Sequence, residues 1–94
     1  MEGLSPAARA EFRQAHPEWS IDGETISRTF RFEDFNEAMG FVSRVALAAE
    51  AADHHPDIDI RWNRVSLTLT SHDAGALTER DTSLAARCDG FGER

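Results

Sequence analysis

The chain has 94 residues and a formal net charge of −7, and all ten of its basic residues are Arg. One core fits this length, and because so small a domain buries only about 60–65% of its unfolded surface, self-association is a natural supplement. An acidic chain without a basic cluster is a poor match for nucleic acid, whose affinity rests on phosphate contacts, and a stretch as short as Val45–Ala49, the longest apolar run, cannot span a bilayer.

Ser5-Pro6 reads as an N-cap followed by Pro at the first helical position, so Ala7–Ala15 is expected to be a short helix, stopped at His16-Pro17. Trp19–Ile21 and Thr25–Phe32 are β-prone runs on either side of Asp22-Gly23, a strong hairpin signal. In the second run Ile26, Phe30 and Phe32 share a face that Arg28 interrupts. Asp34 with Glu37 three residues on has the spacing of a capping box. Phe35, Met39, Val42, Ala46 and Ala49 then recur at helical spacing, predicting a helix from about Phe35 to Asp53, ended by Pro56.

Ile58, Ile60 and Trp62 alternate with Asp57, Asp59 and Arg61, as in a half-buried strand, and Asn63-Arg64 is expected to make the turn. Val65, Leu67 and Leu69 alternate with Ser66, Thr68 and Thr70 on the return. His72–Ala76 reads as a loop, and Thr78 with Asp81 as a second capping box opening a helix through about Cys88. That lone cysteine excludes an intrachain disulfide framework, and its ordinary reading is a small helix residue rather than a nucleophile. The order α-β-β-α-β-β-α predicts an α+β fold: a four-stranded antiparallel sheet with helices packed on one face. No linker divides the chain, so a single domain over residues 1–94 is expected, and with no signal-peptide run it reads as cytoplasmic.

Three of the four histidines, His54, His55 and His72, fall in a short region. Glu50, Asp53 and His54 stand at i, i+3 and i+4, one face of a helix at its C-terminal end. A hairpin from Ile58 to Leu69 would return His72 towards His54 and His55, and Asp81 follows after a short loop. Imidazoles exchange protons near neutrality, which makes the set a candidate acid/base site. Taken singly each residue has a plainer role: a histidine at a helix C-terminus, a capping-box Asp81, a solvated Glu50, a packed Trp62. His54, His55, His72 and Glu50 are also legitimate metal ligands, so residue types and spacing alone leave acid/base and metal chemistry both open.

The segment Glu50-Ala-Ala-Asp-His-His-Pro-Asp-Ile, followed by Trp62-Asn-Arg-Val, Thr70-Ser-His-Asp-Ala-Gly and Leu77-Thr-Glu-Arg-Asp, closely resembles the signature of the pterin-4a-carbinolamine dehydratases. The upstream Phe30-Arg-Phe-Glu-Asp-Phe-Asn-Glu-Ala and Phe41-Val-Ser-Arg-Val-Ala resemble it too, so the likeness runs from about Trp19 to Ala86. His-His-Pro alone is weak; the full spaced set is specific.

The resemblance implies a dehydratase that removes water from a 4a-hydroxytetrahydropterin to give a quinonoid dihydropterin, in tetrahydropterin recycling. It implies His54, His55 and His72 as catalytic residues, with His54 and His72 moving protons and His55 mainly orienting pterin. It implies Glu50, Asp53, Arg80 and Asp81 at the substrate pocket, Glu50 and Asp81 either orienting histidines or holding the ring. No metal or organic cofactor is implied, and homodimers or tetramers are. Trp62 stands where Tyr is common in the family, and the tail after Asp89 is short. Relatives of the same fold serve as protein-binding modules, which makes a non-catalytic binding or regulatory role the alternative; degenerate versions lose the histidines that this chain keeps.

Overall fold

The computed structural model describes residues 2–92. In chain order the elements are α1 (Pro6–Ala15), β1 (Ser20–Asp22), β2 (Thr25–Arg31), α2 (Phe35–Ala52), β3 (Asp57–Arg61), β4 (Arg64–Leu69) and α3 (Glu79–Gly92). The strands form one antiparallel sheet in the order β1-β2-β4-β3, so the chain adopts the α-β-β-α-β-β-α arrangement expected of it.

The sheet has one buried face because the side-chain period of a strand is two. Ile26 and Phe30 of β2 pair in register with Leu69 and Val65 of β4, and all four are buried together with Leu67. Ser27, Thr29, Ser66 and Thr68 point the other way, and the hydroxyls of Thr29 and Ser66 meet across that face at 2.8 Å. On the buried side α2 lays down Ala38, Phe41, Val45, Ala48 and Ala49, and α3 lays down Leu84, Ala85 and Cys88. Phe30 is the hinge of the aromatic core, with Trp19 edge-on at 6.1 Å and Phe41 at 4.5 Å. A Cβ on Gly92 would lie 2.6 Å from this ring, so glycine lets the last turn of α3 rest on Phe30.

Each helix starts with a local device. The Ser5 hydroxyl accepts the Ala8 N–H at 3.1 Å with Pro6 opening α1. Asp34 accepts the Glu37 N–H at 2.8 Å, while the Glu37 carboxylate reaches back to the Glu33 N–H at 3.1 Å, one residue beyond the cap itself. Asp81 accepts the Thr78 N–H at 2.9 Å, as a capping-box acid should.

Several expectations need correction. The pair Asp22↔Thr25 leaves Gly23-Glu24 as the hairpin loop, one residue later than Asp22-Gly23 suggests, because Gly23 supplies the positive φ of 59° at its first position. Arg61 pairs with Arg64, so the β3–β4 turn is Trp62-Asn63 rather than Asn63-Arg64. Trp62 leaves the strand, adopts a φ of 52° and is 68% exposed. Asn63 anchors that turn, its side chain donating to the Phe32 carbonyl at 2.8 Å while its own carbonyl accepts the Phe32 N–H at 2.9 Å.

The buried face of α2 is rotated from the expected stripe: Phe35, Met39 and Ala46 are exposed, Val42 is half-buried, and only Ala49 of that set is buried. The helix is apolar on two adjoining sides, so periodicity alone does not fix its phase. Finally, α3 continues to Gly92 because Asp89 meets buried polar partners and Phe91 still packs on the core. Burial pushes the Cys88 thiol up to about 12, in keeping with a packing role.

Arg28, which interrupts the apolar face of β2, is there for a partner. Its guanidinium lies 4.2 Å over Phe30 and donates to Asp89 at 2.8 Å. Asp89, buried on α3, also accepts Trp19 Nε1–H at 2.8 Å and His16 Nδ1–H at 2.6 Å. One carboxylate thus ties the end of α1, the approach to β1, and β2 to α3. Removing one member of a buried charge network costs about 3–5 kcal/mol, because the partner charge is left without compensation. Asp89→Ala is therefore expected to lower unfolding free energy by about 3 kcal/mol in urea titrations, and Asp89→Asn by less. An unchanged urea midpoint for Asp89→Ala would contradict this account.

Candidate active site

The site begins where α2 ends. Asp53 follows the helix in the left-handed conformation, with φ 50° and ψ 44°. Its N–H returns to the Glu50 carbonyl at 3.2 Å and the His54 N–H to the Ala49 carbonyl at 3.1 Å, the two bonds of a Schellman motif. The helix therefore stops at Ala52, four residues before Pro56, and His54 is not on its face. Glu50 accordingly pairs with His55, not with His54: His55 Nε2 donates to Glu50 Oε1 at 2.5 Å, both side chains being well exposed. The adjacent histidines part company, since His54 is only 7% exposed and turns towards α3.

His72 arrives from the other hairpin. Asp57 pairs with Thr68, which brings the start of β3 and the end of β4 together. Beyond β4, Ser71 bridges Ala76 around a tight loop whose Gly75 has a φ of 63°. His72 is exposed on that loop. His54, His55 and His72 with Asp53 and Arg80 line one open cavity of about 340 Å³, completed by Thr70 and Asp73.

Two residues of the sequence-derived set stand behind the cavity rather than in its lining. Asp81 is fully buried, and its Oδ1 accepts His54 Nε2–H at 2.5 Å. A carboxylate accepts only, so an imidazole of His54 in its neutral form carries its proton on Nε2 and its lone pair on Nδ1. Glu50 likewise meets the cavity only through its hydrogen bond to His55. The pair resembles two histidines held by two carboxylates in different media, one dry and one wet.

Arg80 is fixed by a residue that spacing did not single out. Its Nη2 donates to Asp73 Oδ1 at 2.6 Å, and its Nε lies buried without a hydrogen-bond partner among the described residues. Asp73 stands beside His72 in the quoted segment; a carboxylate seven residues before an arginine across a loop is no recognisable pattern. The Arg80 bond holds the Asp73 carboxyl below its ordinary value, and Asp73 raises Arg80 in return, helped by the charges of Asp81 and Asp53.

Comparison with known proteins decides the family. The family profile described as Pterin 4 alpha carbinolamine dehydratase matches residues 2–91. The chain belongs to the pterin-4a-carbinolamine dehydratase family. A relative from Chloroflexus aurantiacus named for the same dehydratase is 56% identical over 89 residues, 95% of this chain and 96% of its own length. One from Thermomicrobium roseum is 52% identical over 93% of this chain and 94% of its own length. Among solved structures, a transcriptional coactivator/pterin dehydratase from Brucella melitensis superposes with a TM-score of 0.92 at 35% identity, covering 98% of this chain and all 100% of its own. A pterin dehydratase-like RuBisCO assembly factor of the alpha-carboxysome shares the fold, at a TM-score of 0.65 and 23% identity over 79% of this chain and 86% of its own.

The Asp73–Arg80 contact favours the charged form of Asp73 at the lip of the pocket. A carboxylate whose folded pKa is depressed contributes stability that is present above its unfolded value and lost as pH falls through the folded one. Carboxyl NMR titration is expected to give Asp73 a midpoint below that of Asp in a peptide, about 3.9. The Arg80→Met variant should move it back up towards that value. A midpoint unaffected by losing Arg80 would show that the contact does not hold in solution.

Proposed function

We propose that the chain dehydrates a 4a-hydroxytetrahydropterin to a quinonoid dihydropterin by histidine acid/base catalysis. The observation that carries the reading is three imidazoles around one cavity, two of them oriented by carboxylates. Such a pocket suits a flat, neutral heterocycle that must gain a proton at one atom and lose one at another. The reaction delivers a proton to the 4a-hydroxyl, the C4a–O bond breaks with its electron pair leaving on water, and loss of the N5 proton leaves a C4a–N5 double bond. His54 and His72 carry the proton transfers. His54 is held by Asp81, and its Nδ1 is the exchanging atom. His55, steadied by Glu50, orients the pterin, and Asp53 and Arg80 contact it from the rim. Asp81 thereby acts through His54 instead of touching substrate. Reaction in the cytoplasm, as part of tetrahydropterin recycling, completes the reading; among the described residues no helix is long and apolar enough to cross a membrane.

General acid/base catalysis contributes about 10²–10⁴-fold. His54→Ala and His72→Ala are each expected to lower kcat by about that factor with the fold retained, and the double variant to lose less than the product of the two. His55→Ala should raise KM more than it lowers kcat, and chelators should change nothing. Full turnover in the His54/His72 double variant would sink the mechanism; activity lost on chelation and restored by one metal would favour a metal centre.

We also propose self-association to a dimer or tetramer. Phe35 and Met39 on the outward flank of α2 and Ile58 on the edge strand β3 are exposed apolar side chains, which a small domain leaves bare at some cost. The Brucella neighbour, described as a coactivator as well as a dehydratase, favours a protein partner for such a surface beside catalysis. Light scattering at micromolar concentration is expected to give two or four times the chain mass, and a monomer would contradict the proposal.

A further inference from the structure

Behind the catalytic cavity a line of hydroxyls leads to Asp81. Ser71, Thr78 and Asp81 are all fully buried. Ser71 Oγ lies 2.9 Å from Asp81 Oδ2 and 2.7 Å from Thr78 Oγ1. Thr78 Oγ1 in turn accepts the Arg80 N–H at 3.3 Å, and the Thr78 N–H donates to Asp81 Oδ2 at 2.9 Å.

With Asp81 ionised, chemistry allows one proton order. The carboxylate only accepts, so Ser71 must donate to it. Ser71 has a single hydroxyl proton, so towards Thr78 it can only accept, and Thr78 Oγ1–H must be the donor. The chain runs one way, from the Arg80 N–H through Thr78 and Ser71 to Asp81. Two donors saturate Oδ2, which leaves Oδ1 to His54 Nε2–H at 2.5 Å. A buried carboxylate that loses one of its three donors could rotate or take up a proton, and either change would release the imidazole.

We propose that Ser71 and Thr78 are positioning residues for the reaction, acting through Asp81 to hold the proton of His54 on Nε2 and its exchanging lone pair on Nδ1. This rests on the acid/base reading of His54 given above. Capping α3 is the other service these groups perform, but a cap needs only Thr78 and Asp81. Ser71, on the far side of the loop, has no part in it.

The test uses the full chain, labelled with ¹⁵N, at mildly alkaline pH where an ordinary imidazole is neutral. Two-bond ¹⁵N–¹H correlation should show His54 of the wild type as the Nε2–H tautomer, its signal assigned by loss in His54→Gln. Ser71→Ala should give a mixture of tautomers at His54, and should lower kcat on 4a-hydroxytetrahydropterin about tenfold, the rate equivalent of one lost hydrogen bond, with KM changed less than about twofold. Ser71→Thr, which restores the hydroxyl, should restore both. An Nδ1–H tautomer in the wild type overturns the proposal, as does a Ser71→Ala protein with wild-type kcat and tautomer. If Ser71→Ala does not fold, the wild-type tautomer and recovery of kcat in Ser71→Thr decide the matter in the same way. A wild type inactive on the pterin overturns the dehydratase reading, and the tautomer measurements still judge the hydroxyl chain.

Discussion

A carboxylate taken out of water must be met by donors on nearly every side, and this protein buries two on a single helix. Asp81 and Asp89 stand just over two turns apart on α3, and both are buried. The donors they require come from almost every other element. Asp89 takes His16 beyond α1, Trp19 before β1 and Arg28 from β2. Asp81 takes His54 beyond α2, Ser71 beyond β4, and the backbone at the start of α3 itself. The apolar core brings these segments close; the carboxylates decide which atoms face one another, because an ill-placed donor leaves a buried charge exposed to a cost of several kcal/mol. The histidine-lined cavity is thus built on the end of a helix clamped at two points, the rigid support that precise placement of its side chains needs.

The neighbouring histidines show how one short motif yields two environments. Continued helix would have set His54 and His55 about 100° apart on one cylinder. The left-handed Asp53 breaks that geometry and sends one ring inward to a dry carboxylate and the other outward to a wet one. An imidazole bonded to a buried carboxyl holds its orientation, whereas one bonded to an exposed glutamate can follow a ligand. That division suits a pocket in which one group must hold a fixed line to a reacting atom and another must adapt to the ring that carries it.

Much of this was legible in the chain. The caps at Ser5, Asp34 and Thr78, the alternation of Val65, Leu67 and Leu69, and both hairpins follow from local chemistry, which acts within a few residues and leaves its mark in spacing. Features set by longer-range contacts leave no such mark. The phase of α2 depends on which of two apolar flanks meets the sheet. The turn at Trp62 depends on Asn63 finding the backbone of Phe32, thirty-one residues away. Asp53 is left-handed where Gly or Asn is the usual choice, so no residue type announced the break. The histidines and acids were legible as a set, through their spacing; the distinction between residues that line the cavity and residues that stand behind it was not, since Asp81 and Asp53 look equally polar on the page.

The two clamps are not equivalent in what they permit. The network at Asp89 contains none of the described residues that line the histidine cavity, so it can hold the fold whatever happens there. His55 and His72 are exposed and hold little structure in place, and their loss would cost the domain little stability. His54 differs, because removing it leaves Asp81 buried with its Oδ1 unmet. A version of this fold turned wholly to protein binding could therefore discard His55 and His72 freely, but would have to change His54 and Asp81 together, or accept water or a new donor in the gap. The distant structural neighbour shows that the scaffold tolerates wide divergence, with 23% identity at a TM-score of 0.65. Function in such a family resides in the side chains grafted at one end of the sheet. In this chain the buried pair His54–Asp81 is the point at which one hydrogen bond both satisfies a buried carboxyl and fixes a ring at the cavity wall.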